Sequence, residues 1–282
     1  DEAAAAGKIR AYDRLHQALA DMAGKRAGLF GKEGNKEGSK KEIERANAEL
    51  LLARQAYESA LQRYPGQAVL HNYYGELLFD RFDEQEKGVA EWRKAIELDP
   101  RQSRAFNNLG IYLCHQGQYV DGLDNLDKAL LLEPENPDYL YNIAQIYLAH
   151  WAKIMSIKKW TADELFKAAM KASEASARFA PTEYDLVSDY ALNFFVAEQL
   201  GVTPDWEAAA SAWGAARKLA RNPEEEFNTW LNEGRVWYRA DKPDKTEKCC
   251  DEALKIRPGS MVAEELKNIA REPKTTRKSP AK

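Results

Sequence analysis

Within residues 103–136 the sequence places Phe106, Leu109, Gly110, Gly117, Tyr119, Gly122, Leu126, Ala129 and Pro134 at offsets that return on both sides. Phe106, Leu109, Gly110 and Leu113 follow one another at the spacing that keeps residues on one stripe of a helix, and Gly122, Leu126 and Ala129 form a similar stripe on a second helix. The small residues let two helices approach closely, and the bulky ones fill the remaining space. Pro134 ends the second helix, because proline lacks the amide donor and clashes with the preceding turn. Units of this kind bury their stripes only against the next unit. The pattern therefore demands a stack of helix pairs and leaves no room for a sheet or a single round core.

The copy before this one runs His71, Tyr74, Gly75, Leu78, then Gly88, Trp92, Ala95, Leu98 and Pro100. The copy after it runs Leu140, Ile143, Ala144, Tyr147, with a late second helix at Ala169, Ser173, Ser176, Phe179 and Pro181. Next come Val187, Tyr190, Ala191, Phe194, then Ala209, Trp213 and Ala216; the last copy reads Trp230, Gly234, Trp237, then Thr246, Cys250, Ala253, Ile256 and Pro258. The small residue of the first helix thus falls at 75, 110, 144, 191 and 234. The first two intervals match a period of ~34 residues within one residue, and the last two are longer. The excess is assigned to two insertions. At 151–160 the first helix is expected to run on past its normal end, and 199–204 is expected to be a longer turn broken by Gly201 and Pro204.

These offsets resemble the tetratricopeptide repeat, W-x2-L-G-x2-Y…A-x3-F…P in general form. The likeness covers 67–260 well and 40–65 in part, where Ala53, Tyr57, Ala60 and Pro65 match a second helix. Gly88 and Gly122 stand where the family usually has alanine, and Glu233 where it has leucine. The resemblance implies an all-α, right-handed superhelical solenoid of helix pairs with irregular terminal helices. It also implies a concave inner wall lined from the first helix of each pair. The inward-facing residues it implies are Asn72, Glu76, Phe79; Arg104, Asn107, Asn108, Ile111, His115; Tyr141, Asn142, Gln145, Leu148; Leu192, Phe195; and Arg235, Tyr238. Such a wall suits an extended peptide or a helix of another protein, with apolar pockets for energy and amides for backbone groups. Asn108 and Asn142 share a repeat position and either meet a ligand backbone or bond a neighbouring helix. One subgroup of the family clamps a carboxylate with lysines; Asp138 stands where a clamp lysine is wanted and would repel that group.

Three segments are expected: 1–66, an irregular helical pair with a mobile glycine- and lysine-rich connection at 24–41; 67–260, a solenoid of about five repeats; and 261–282, a capping helix followed by a disordered basic tail from 271. Ser260 is expected to cap the last helix, with Met261, Leu266 and Ile269 inward. The formal net charge of −4 argues against a general nucleic-acid surface. No apolar run approaches the ~18 residues of a membrane span. The sequence opens on Asp1 and an alanine-rich stretch. That beginning leaves the compartment open and leans it toward a bacterial envelope or periplasm rather than the cytoplasm.

Signals for chemistry are thin. His16, His71, His115 and His150 lie on different helices without a second ligand at metal spacing, so no metal is expected. Cys249 and Cys250 invite a redox reading, but Cys250 occupies a packing position and adjacent helical cysteines diverge. Trp213, Trp230 and Trp237 fall on packing stripes, whereas Trp151 and Trp160 bracket the insertion. The acidic runs at 83–86 and 224–226 sit near helix starts, where they favour the helix dipole. With no phosphate loop, nucleophile elbow or paired carboxylates, no cofactor and no catalytic residue are expected. The reading is a non-enzymatic adaptor for another protein. The alternative is a self-assembling scaffold, a homo-oligomer in which 24–41 acts as a hinge.

Overall fold

The computed structural model describes residues 2–272, and among them every regular element is a helix. The chain divides into two compact units, Asp1–Glu133 and Pro134–Lys282. The first holds α1 (Glu2–Lys32), α2 (Lys36–Arg63), α3 (Ala68–Phe82), α4 (Gln85–Leu98), α5 (Ser103–His115) and α6 (Tyr119–Leu132). The second holds α7 (Pro137–Ala149), α8 (Trp151–Lys158), α9 (Ala162–Phe179), α10 (Tyr184–Asn193), a 3₁₀ turn (Phe194–Val196), α11 (Ala197–Leu200), α12 (Trp206–Arg217), α13 (Pro223–Arg239), α14 (Pro243–Ile256) and α15 (Met261–Arg271). The helices pack as pairs: α1 with α2, α3 with α4, α5 with α6, α7 with α9, α10 with α12, and α13 with α14, on which α15 lies.

The repeat positions explain the pairing. A Cβ on Gly75 would sit 2.8 Å from the Gly88 carbonyl oxygen, and one on Gly110 would sit 2.9 Å from that of Gly122. The two helices therefore touch backbone to backbone in each of these pairs. In the second unit Ala144, Ala169, Ala191 and Ala209 are all fully buried. Large side chains close the rest: Trp92, Leu109 and Leu113 share one core, and Trp213, Trp237 and Phe194 another. Second helices stop two residues before Pro65, Pro100, Pro134, Pro181 and Pro258. Glu233 is accommodated at its packing position by Arg217 Nη1 at 2.6 Å and by the Trp237 indole N–H at 3.1 Å.

Four expectations are corrected. The connection at 24–41 is not a loop: α1 runs to Lys32, and only 33–35 separate it from α2. Ala20, Ala23 and Ala27 carry a buried stripe straight through the glycine-rich stretch, and Arg26 Nε bonds Glu42 across to α2 at 2.7 Å. Tertiary packing outweighs the helix cost of Gly24, Gly28 and Gly31, roughly 1 kcal/mol each. Asn35 then caps α2 by accepting the Gly38 amide at 2.9 Å. Second, α7 does not run on through the insertion. It ends at Ala149, and the separate α8 packs through fully buried Ile154, while Trp160 meets the Tyr147 ring edge-on at 5.5 Å. Third, Ser260 stands before α15 without a side-chain cap bond, and Met261 is 81% exposed while Ala263 and Leu266 turn inward. Fourth, Arg271 belongs to α15 and reaches Glu247 at 2.7 Å; the remainder of the expected tail lies outside the described residues.

The first unit is pinned by a buried charge. Asp13 is fully buried on α1 and accepts from Arg10 Nη1 (2.9 Å), the Tyr57 hydroxyl (2.9 Å) and Gln17 Nε2 (2.7 Å). Burial and the nearby Asp13 carboxylate push the Tyr57 hydroxyl pKa up.

Candidate functional site

The first helices α3 and α5 carry the candidate wall of the first unit, and its donors converge on one carboxylate, while the buried Asn72 Oδ1 is left without a partner. Glu76 on α3 accepts from Arg10 Nη2 at 2.7 Å, Asn72 Nδ2 at 3.0 Å and Asn108 Nδ2 at 3.3 Å, with Arg104 Nη1 at 3.7 Å. Arg10 and Arg104 both lie over the Tyr73 ring, at 4.2 and 5.9 Å. Asn108 thus takes the helix-to-helix role. Asn72 and Asn107 do not face outward: they are 1% and 4% exposed, because adjoining helices close over that side of α3 and α5. Phe79 packs against Trp92 and Tyr112, at 5.0 and 6.0 Å between ring centroids, so it serves the core as much as the surface. Ile111 is half-buried, and His115 is exposed at the end of α5.

The second unit builds its wall from α7, α10 and α13, and here charges are left over. Tyr141, Asn142 and Gln145 on α7 are half-buried. Leu148 is corrected: it is 6% exposed, in the last turn of α7 just before the chain turns into α8. Gln145 Nε2 and Asn193 Nδ2 both donate to Asp189 Oδ2 at 2.8 Å, and Asn193 also reaches Ser173 Oγ at 3.0 Å. Burial pushes the Asp189 carboxyl up to about 6, although the two amide donors pull the other way. Burial and Asp189 together raise the Tyr141 hydroxyl.

Next to Asp189 on the same helix the chain opens a concavity of about 430 Å³. Leu192 and Phe195 line one side, with Glu198; Asn232, Arg235 and Arg239 of α13 line the other. Leu192 is 50% exposed. Arg239 grips Glu198 with two bonds of 2.7 and 3.1 Å and lies over the Phe195 ring at 4.8 Å. Arg235 donates to Asn232 Oδ1 at 2.9 Å. Burial and the Arg239 charge lower its pKa, and among the described residues no carboxylate stands within ion-pair distance of it. Tyr238 is half-buried against the cluster around Phe227 and Leu231.

The structure therefore brings Leu192, Phe195 and Arg235 together, and Tyr141 and Gln145 beside Asp189. Asp189, Asn193, Asn232 and Arg239 escaped the sequence reading. Asp189 stands three residues before Leu192 on α10, and Asn232 and Arg239 stand three before and four after Arg235 on α13, so following the helical spacing outward from those two positions would have reached them. The candidates for chemistry pack instead. Burial pushes the Cys249 and Cys250 thiols up to about 12, away from thiolate reactivity. His71 bridges Glu91 at 2.5 Å and the Pro65 carbonyl at 3.0 Å. Among the described residues no group of metal-ligating side chains comes together, and no helix is long and apolar enough to cross a membrane.

The sequence profile described as tetratricopeptide repeat matches residues 91–124, from the middle of α4 through α5 into α6. No curated protein matches the chain. Among solved structures, YrrB, "a TPR protein with an unusual peptide-binding site", is similar with a TM-score of 0.57 at 20% identity, covering 76% of this chain and 99% of that one. PilF of Pseudomonas aeruginosa follows the same path with a TM-score of 0.54 at 17% identity, over 90% and 98% of the two chains. PilW, a type IV pilus biogenesis factor, gives 0.54 at 13% identity over 88% and 98%. At these identities the likeness is one of fold: an all-α solenoid of helix pairs.

Proposed function

We propose that this chain, a tetratricopeptide-repeat protein, is a non-catalytic adaptor that holds a segment of another protein on the inner wall of its second unit. The observation that carries the reading is the concavity beside Leu192, Phe195 and Arg235. It joins a half-exposed leucine and an aromatic ring to a cation that has no carboxylate of its own. Exposed apolar groups rimmed by polar ones favour a protein partner. The first unit suits this role less, since Glu76 on its wall is already taken up by donors from Arg10, Asn72 and Asn108. Peptides selected from a displayed random library on the intact chain should lose affinity for the Tyr141→Ala and Leu192→Ala variants, whose helicity and melting stay unchanged. Equal affinity for both variants and the wild type would remove the proposal.

One observation favours self-association as a second reading. The flank of α1 that faces neither α2 nor α3 exposes Tyr12, Leu15, Met22 and Leu29. This stripe, rather than a hinge at 24–41, is where copies would meet. Solution mass measured across a range of concentrations should then rise with concentration, and Leu15→Glu with Met22→Glu should abolish the rise.

A further inference from the structure

The charges on the wall of the second unit do not balance within the chain. Asp189 is held only by neutral amides, Gln145 and Asn193, and among the described residues no cation lies within ion-pair distance of it. Arg235 has one neutral acceptor, Asn232, and faces Arg239, whose own guanidinium is already taken by Glu198. Other partly buried arginines of the unit have found carboxylates, Arg217 with Glu233 at 2.6 Å and Arg239 with Glu198 at 2.7 Å. Partly desolvated charges without a counter-charge are held at a free-energy cost, and a ligand that supplies the missing charge recovers part of it. The two orphans have opposite sign and flank the apolar step made by Leu192 and Phe195. The wall therefore has a direction: negative on the α7 side of α10, apolar in the middle, positive on α13.

Resting on the groove reading above, we infer that the occupant is a protein segment presenting, in order, a basic side chain to Asp189, an apolar side chain to Leu192 and Phe195, and a carboxylate to Arg235. The carboxylate can come from an acidic side chain or from the chain end. A neutral or uniformly charged segment would leave at least one of the two orphans unpaired, which gives the wall selectivity as well as affinity.

The test is selection of random displayed peptides on the wild-type chain and on Asp189→Asn and Arg235→Gln, followed by titration of synthetic copies of the selected peptides with free and with amidated C-termini. The wild type should enrich the basic–apolar–acidic order. Asp189→Asn should lose the basic preference alone, and Arg235→Gln the acidic preference alone. Neutralising the matching peptide charge should weaken binding about tenfold to the wild type and hardly at all to the matching variant. Loss of affinity on amidation would assign the carboxylate to a chain end, and indifference to amidation would assign it to a side chain. Peptides that depend on Leu192 yet show no charge order, or keep their order in both variants, would overturn this inference and leave the groove standing. Peptides indifferent to Leu192→Ala would overturn the groove reading and this inference with it. The two variants sit on different helices, so a folding failure of one leaves the other as the test.

Discussion

Gly122→Ala sets two physical effects against each other, and the structure says which should win. Gly122 lies inside α6, where an alanine gains about 1 kcal/mol of helix propensity. The methyl group, however, would meet Cys114 Sγ at 2.5 Å, the Cys114 backbone nitrogen at 2.9 Å and the Gly110 carbonyl oxygen at 3.0 Å. The sulfur can swing aside. The two backbone atoms belong to α5 and move only if the helix moves. Overpacking of a rigid contact costs about 1–3 kcal/mol, and two backbone clashes place this site at the upper end. The net expectation is a loss of about 2 kcal/mol. Gly24→Ala is the control: its Cβ meets nothing within 4 Å, so it should gain close to the full propensity term. Urea unfolding followed by far-UV circular dichroism measures both. Cys114→Ala added to Gly122→Ala should restore only part of the loss, because the backbone contacts persist. A Gly122→Ala chain as stable as the wild type, or more so, would refute the claim that close backbone approach holds α5 against α6.

Two further outcomes follow from the buried charges. Asp13→Ala leaves the Tyr57 hydroxyl and Gln17 without their acceptor and strips Arg10 of one of its two carboxylates; the expected loss is about 3 kcal/mol, read from the urea midpoint, and a loss under about 0.5 kcal/mol would contradict the pinning role. Asp189 holds its proton more tightly when folded, at about 6 against an ordinary 3.8, so stability should fall as pH rises from about 4 to about 6 and then level off. The penalty amounts to about 1–3 kcal/mol at neutral pH. Asp189→Asn should lack this slope in melting temperatures taken across that range, and matching slopes in the two chains would show that Asp189 is not the cause.

The helix pairs were legible in the sequence because their cause is local and periodic. Gly122, Leu126 and Ala129 recur at helical spacing, Pro65, Pro100, Pro134, Pro181 and Pro258 mark where second helices stop, and a stack of such pairs has one way to bury its stripes. Where long-range contacts compete with local preference, the sequence alone misleads. The glycines and lysines at 24–41 read as a connection, yet the alanine stripe of α1 and the Arg26–Glu42 pair keep that stretch helical. The candidate wall shows the same limit: helical spacing selected Leu192, Phe195 and Arg235, but it could not show that Arg10 would reach Glu76 from another helix, or that Asp189 would stay without a cation. Stripes within one helix follow from the order of residues along it. Which charges end up neutralised depends on side chains meeting across helices far apart in that order, and only the tertiary structure decides that.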